Sequence, residues 1–133
     1  MRTRDDIEAY LTRSGHPHRE LAEGTWLVGD SSGSRENIVV KIDDGLCLFR
    51  MKIIDLSAIE PTKARDFYLA LLELNASDLV HGAYGVADGM VLLLASLPLE
   101  NLDYNEFIGA VEDFLVAMAN HHSRLAEYHR KNA

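Results

Sequence analysis

The apolar positions of this chain recur at two periods, and the points where the period changes mark its elements. Near the start, Ile7, Tyr10 and Leu11 fall at three- and four-residue steps, the spacing of one helix face. Thr3-x-x-Asp6 stands ahead of them as a cap, and Gly15 and Pro17 stop the run. A short strand is predicted over residues 25–28, followed by a polar loop over residues 30–34. The period then drops to two. Ile38, Val40 and Ile42 share one side of a strand, and Cys47, Phe49, Met51 and Ile53 share one side of the next. Asp43-Asp44-Gly45 turns the chain between them, with Gly45 supplying the positive φ of a tight return. Lys41, Arg50 and Lys52 take the opposite sides, so this part of the sheet is predicted to have one buried face and one wet face.

The helical period returns over residues 62–75, introduced by Glu60-Pro61. Ala64, Phe67, Tyr68, Leu71, Leu72 and Asn75 are predicted to trace its inner stripe. A second hairpin follows, residues 81–86 and 90–95 joined by Ala87-Asp88-Gly89, with Gly85 marking a close backbone approach. Its returning strand is apolar at both parities, so both faces should be covered: by a bent sheet, another helix or a second subunit. Leu97-Pro98-Leu99 closes it. A third helix opens on Asp103 with Glu106 three residues on, a capping-box pattern, and carries Phe107, Ile108, Val111, Phe114, Leu115, Met118 and Leu125. The stripe fades past Asn120-His121-His122, which predicts that the last turns project into solvent or meet a partner. The order is α-β-β-β-α-β-β-α, an α+β fold with an antiparallel sheet packed against helices. One domain is expected over residues 1–133, with a core at about 5–120 and a C-terminal helix extension at 121–133.

Composition narrows the class. A chain of 133 residues, 47% of them hydrophobic, can bury roughly two-thirds of its unfolded surface without a disulfide or metal. The single Cys47 excludes an internal disulfide and any Cys-based zinc site. The longest apolar run, residues 90–95, is far short of the ~20 residues that span a bilayer, and no secretory signal is expected from residues 1–11, which lack an apolar h-region and a small-residue cleavage site. A cytoplasmic protein without a membrane partner is expected. The formal charge of −8 opposes nonspecific nucleic-acid binding. That charge is uneven: residues 20–120 carry 6 basic and 17 acidic side chains, while the two ends carry a small basic excess in Arg2, Arg4, Arg13, Arg124, Arg130 and Lys131.

Catalytic chemistry finds no support. The six histidines lack metal-ligand spacing and are read as surface residues. The glycines of residues 82–89 lead into a strand rather than opening a helix over a phosphate. Cys47 has no cationic neighbour in sequence and is read as a buried structural thiol. The serines at 31, 32 and 34 have no nucleophile elbow around them. No enzyme activity and no cofactor are expected. Trp26 is read as a core or sheet-edge anchor, with a partner hot spot as the alternative.

The element order resembles that of type III secretion chaperones and of the YbjN-type proteins that share their fold. The residues carrying this likeness are Gly24-Thr25-Trp26-Leu27-Val28, the helix ending Leu71-Leu72-Glu73-Leu74-Asn75, the hairpin from His81 to Gly89, and Leu97-Pro98-Leu99. The resemblance implies a small acidic bacterial protein, homodimeric, holding a segment of a protein or peptide client. It carries no catalytic residue across. The expected function is therefore a non-enzymatic, chaperone-like binding module that takes its partner by strand addition or by helix in groove. Its candidate partner or dimer surface is Trp26, Met90, Leu92 and Leu94. A signalling or stress regulator sensing a small ligand is the alternative.

Overall fold

The computed structural model describes residues 1–29 and 37–131; the polar loop expected at 30–34 lies outside them. The elements are α1 (Arg4–Ser14), β1 (His18–Ala22), β2 (Thr25–Val28), β3 (Ile38–Asp43), β4 (Leu46–Asp55), α2 (Ala64–Ser77), β5 (Ala83–Ala87), β6 (Met90–Pro98) and α3 (Tyr104–Ala126). Two 3-10 turns, Leu56–Ala58 and Pro61–Lys63, join β4 to α2. The order thus contains one more strand than the hydrophobic pattern predicts. β1 is that strand: it is polar on both sides, follows the His16-Pro17 breaker, and pairs only with β2.

The six strands form one antiparallel sheet in the order β1-β2-β3-β4-β6-β5. Two of its hairpins close with an Asp-Gly pair in which both residues have positive φ, Asp44 at 49° and Gly45 at 78°, Asp88 at 52° and Gly89 at 75°. That is type I′ geometry, whose twist matches the strands it joins. The predicted capping box of Asp103 with Glu106 forms at α3, and the predicted Thr3 cap of α1 is likewise a full capping box with Asp6. Each satisfies backbone N–H groups that the first helical turn leaves without partners.

All three helices bury their apolar stripes in one cluster with the inner-facing side chains of the sheet. Ile7 and Leu11 of α1, Phe67, Leu71 and Leu74 of α2, and Phe107, Val111 and Phe114 of α3 meet Trp26, Val40, Phe49, Met51 and Leu93 there. A relay of rings crosses the cluster, Tyr10 to Phe107 to Phe49 to Phe114, with centroids 5.5–6.4 Å apart. The inner stripe of α2 is Phe67, Ala70, Leu71 and Leu74; Tyr68 and Leu72, predicted to join it, are exposed instead. Stepping 3-4-3 from Phe67 selects Ala70 and Leu74 and turns positions 68 and 72 outward by about a quarter turn.

The C-terminal segment does not project. His121 and Leu125 are buried, and the chain beyond α3 folds back on the turns before α2. Glu60 N–H donates to the Tyr128 carbonyl and Arg130 N–H to the Ala58 carbonyl, each at 2.9 Å, beside a bridge between Ile59 and His129. The fading stripe misleads because Asn120 and His122 are exposed while the polar residue between them turns inward with its hydrogen bonds made.

Candidate partner-binding surface

Strand pairing fixes what the other face of the sheet carries. The register sets Arg19 beside Leu27, Leu27 beside Val39, Val39 beside Arg50 and Arg50 beside Leu94. A neighbouring row runs Thr25, Lys41, Leu48, Ser96, and another Lys52, Leu92, Gly85. All these residues have the parity opposite to the core set, and Leu92 is the only buried one among them. A shallow hollow of about 370 Å³ sits at its centre, lined by Leu48, Arg50, Leu94 and Ser96. Gly85 deepens the surface, since a Cβ there would lie 3.3 Å from Leu94 Cδ1.

The four residues predicted for a partner surface divide. Leu94 is on the open face and 38% exposed. Leu92 shares its side but is only 2% exposed, and Met90 lies half-buried where β6 leaves its turn. Trp26 is not part of the surface. It is fully buried on the inner face, where its indole N–H donates to Glu8 Oε1 at 3.3 Å. The returning strand is covered on both faces at Val91, Leu92 and Leu93, as its apolar parities predict, and opens only at Leu94.

The electrostatics of this face depend on what happens to cations elsewhere. Arg2 Nε donates to the Leu102 carbonyl at 2.7 Å, Arg4 pairs with Glu20, and Arg13 lies 4.0 Å over the Tyr104 ring. Arg124 pairs with Glu73 at 2.6 Å, and Arg130 donates to the Ser57 carbonyl at 2.8 Å. The basic chain ends are thus largely consumed within the fold. Among the described residues, Arg19, Lys41, Arg50 and Lys131 have no such partner. Three of these four stand on the open sheet face, next to Lys52, which holds Asp55 only at its edge at 3.3 Å.

Sequence reasoning missed a buried polar cluster behind the sheet. His121, read as a surface residue, is 3% exposed. Its Nδ1 accepts from the Tyr84 hydroxyl at 2.7 Å and its Nε2 faces Asp78 Oδ2 at 3.3 Å. Burial, with Asp78 nearby, pushes the Tyr84 phenol up to about 12. The cluster ties β5, the end of α2 and the C-terminal part of α3 together. His81 is held by Asp113, which accepts from both its backbone N–H and its ring. Burial likewise pushes the Cys47 thiol up to about 12, leaving it without thiolate character. Among the described residues no three His, Cys, Asp or Glu side chains converge as a metal site would require, and no helix is long and apolar enough to cross a membrane.

Two further surfaces bear on partners. The outward side of α2 exposes Tyr68, Leu69 and Leu72, while its Asn75 caps the edge strand β5 by accepting from the Tyr84 N–H at 2.7 Å and donating to the Tyr84 carbonyl at 3.2 Å. A hollow of about 480 Å³ opens between the end of β4 and the end of α3, lined by Asn37, Ile54, Ala58, Met118 and Leu125 among others. The Asn37 side-chain oxygen there is buried and has no hydrogen-bond partner among the described residues.

Comparison with known proteins adds the family relation. The CesT_Tir_1 family model matches residues 1–131. Among solved structures, YbjN from E. coli superposes with a TM-score of 0.67 at 14% identity, over 92% of this chain and 93% of that one. A chain of the ExsC–ExsE complex gives 0.66 at 14%, over 94% and 97%. A chain of the heterodimeric ExoU–SpcU complex from the type III secretion system of Pseudomonas aeruginosa gives 0.63 at 20%, over 93% and 98%. At these identities the likeness is one of fold. A sequence search of curated proteins finds no match.

Proposed function

Because this chain belongs to the CesT_Tir_1 family of type III secretion chaperones, we propose that it is a non-enzymatic, cytoplasmic, chaperone-like module that holds a segment of a partner protein on the open face of its sheet. One observation carries the reading. Half-buried Leu27, Val39 and Leu48 and exposed Leu94 lie among Arg19, Lys41 and Arg50, which have no partner among the described residues, while the cations at the chain ends are largely engaged internally. A folded chain that retains such a surface does so at a cost in solubility, and exposed apolar patches rimmed by charge mark interaction sites. Two of the similar structures hold protein complexes by their descriptions, ExsC with ExsE and ExoU with SpcU.

Affinity purification from the native host tests this. The wild-type protein is expected to co-elute with one protein in stoichiometric amount, and Arg50→Glu with Leu94→Glu is expected to lose it. Purification of the wild type with no stoichiometric protein would count against the reading. Homodimerisation is part of the proposal and is assigned to the other apolar surface, Tyr68, Leu69 and Leu72 on α2. Sedimentation equilibrium should then show a dimer that Leu72→Glu converts to a monomer.

A second reading, a regulator that senses a small ligand, draws on the 480 Å³ hollow and the buried Asn37 oxygen within it. A molecule with an N–H donor and an apolar body would suit that site. Native mass spectrometry of protein from its own host should then show a retained small mass that Ala58→Trp removes; a bare protein mass would remove the reading.

A further inference from the structure

The open face has a chemistry specific enough to name its occupant. We infer that it takes an amphipathic helix carrying acidic residues on either side of an apolar stripe, contributed by a partner protein. The inference rests on the protein-binding reading above and deepens it.

Two arguments lead there. The first concerns backbone hydrogen bonds. β2, β3, β4 and β6 each pair on both sides, so their N–H and C=O groups are already taken. An extended segment laid across them would set its own unpaired backbone groups against Leu27, Val39, Leu48 and Leu94. Desolvating such groups without partners is costly. A helix satisfies its backbone internally and presents only side chains. The row from Arg19 through Leu27, Val39 and Arg50 to Leu94 crosses four strand spacings of ~4.8 Å, about 19 Å, which a helix of about 13 residues spans.

The second concerns charge. Arg19, Lys41 and Arg50 meet no carboxylate among the described residues, and they alternate with the apolar positions rather than forming a continuous band. Phosphate backbones favour a continuous cationic track on a basic protein; this chain carries −8 overall. Acidic side chains flanking an apolar helical stripe match the face's alternation, and charge complementarity of this kind sets orientation and excludes wrong partners. A free segment of about 13 residues is mostly unfolded in water, so it would gain helix on docking.

The test uses the full chain with synthetic peptides. A fluorescent 16-residue probe carries leucines at i, i+3, i+4 and i+7 spacing flanked by glutamates. Its relatives replace every glutamate with lysine, or place two prolines mid-peptide. The glutamate peptide is expected to bind at least tenfold more tightly than the lysine or proline peptides and to gain helical circular dichroism on binding. Lys41→Glu with Arg50→Glu should reverse the charge preference; both positions are exposed, and an unchanged melting temperature would show that the variant is folded. Several results overturn the inference: no binding of the glutamate peptide, equal binding of both charge forms, a proline peptide that binds as tightly, displacement by a short DNA duplex, or conversion of a dimer to a monomer by the charge reversal. A host partner that stays bound to Lys41→Glu/Arg50→Glu while the peptide fails would leave the chaperone reading standing and remove only this face.

Discussion

His18 shows how single residues set conditions for this fold. Its Nδ1 lies 2.9 Å from the His16 carbonyl and its Nε2 2.9 Å from Glu8 Oε2, so both ring nitrogens face acceptors. Only the protonated ring can donate to both. Burial alone would lower the His18 pKa, but these two hydrogen bonds outweigh it and raise the value. Glu8 is lowered, chiefly by the His18 hydrogen bond, with Trp26 and Thr12 donating as well. The His18 contribution is complete below the ordinary histidine value of about 6.5 and fades as pH rises through the raised folded value. The Glu8 contribution is complete above the ordinary glutamate value of about 4.3 and fades as pH falls through the lowered one. Stability from this pair should therefore be highest between those two values, and His18→Gln should lower the denaturation midpoint within that window and flatten its decline as pH rises above about 6.5. An unchanged profile would contradict the pairing. Tyr84→Phe should cost about 1–3 kcal/mol, because it leaves His121 Nδ1 buried without its donor. Gly82→Ala should cost about as much by steric means. A Cβ there would come within 2.8 Å of Phe114 Cε1 and 3.1 Å of the Leu94 carbonyl. Chemical denaturation measures both.

At the scale of elements, α3 carries the largest share of the core, and its parts should contribute unequally. Asp103→Ala removes a capping hydrogen bond of 2.7 Å to the Glu106 N–H and should cost about 1 kcal/mol. Phe114→Ala removes a fully buried ring from between α3 and the sheet and should cost about 3–5 kcal/mol. Equal losses in thermal unfolding would mean that α3 is held by its ends rather than by its packed face. Local chemistry made these elements legible: capping pairs, Asp-Gly turns and a long apolar stripe are written within a few residues of one another. β1 was not legible for the same reason. An edge strand with polar residues on both sides has no alternation to read, and its pairing with β2 is visible only in the fold.

At the scale of the molecule, part of the candidate surface was legible and part was not. The opposition of Lys41, Arg50 and Lys52 to Cys47, Phe49 and Met51 shows in strand parity alone. What the chain order conceals is that the basic ends are engaged by residues far away. Arg2 meets Leu102, Arg4 meets Glu20, Arg124 meets Glu73 and Arg130 meets Ser57, at separations of 100, 16, 51 and 73 residues. Only after those contacts form do Arg19, Lys41 and Arg50 stand out as sheet cations with no partner among the described residues. Trp26 was misplaced on the partner surface because a lone tryptophan suits either a core or a hot spot, and only its burial decides between them. The same geometry explains why Leu94 alone of the four predicted residues is both outward and open.

The account turns on one surface, so the most direct measurement follows that surface while a partner binds. Methyl spectra of the protein, recorded as its co-purified host partner is added, should move at Leu27, Val39, Leu48 and Leu94 and stay fixed at Leu69, Leu72 and Val116. Shifts confined to the helical side, with the four sheet methyls unmoved, would contradict it.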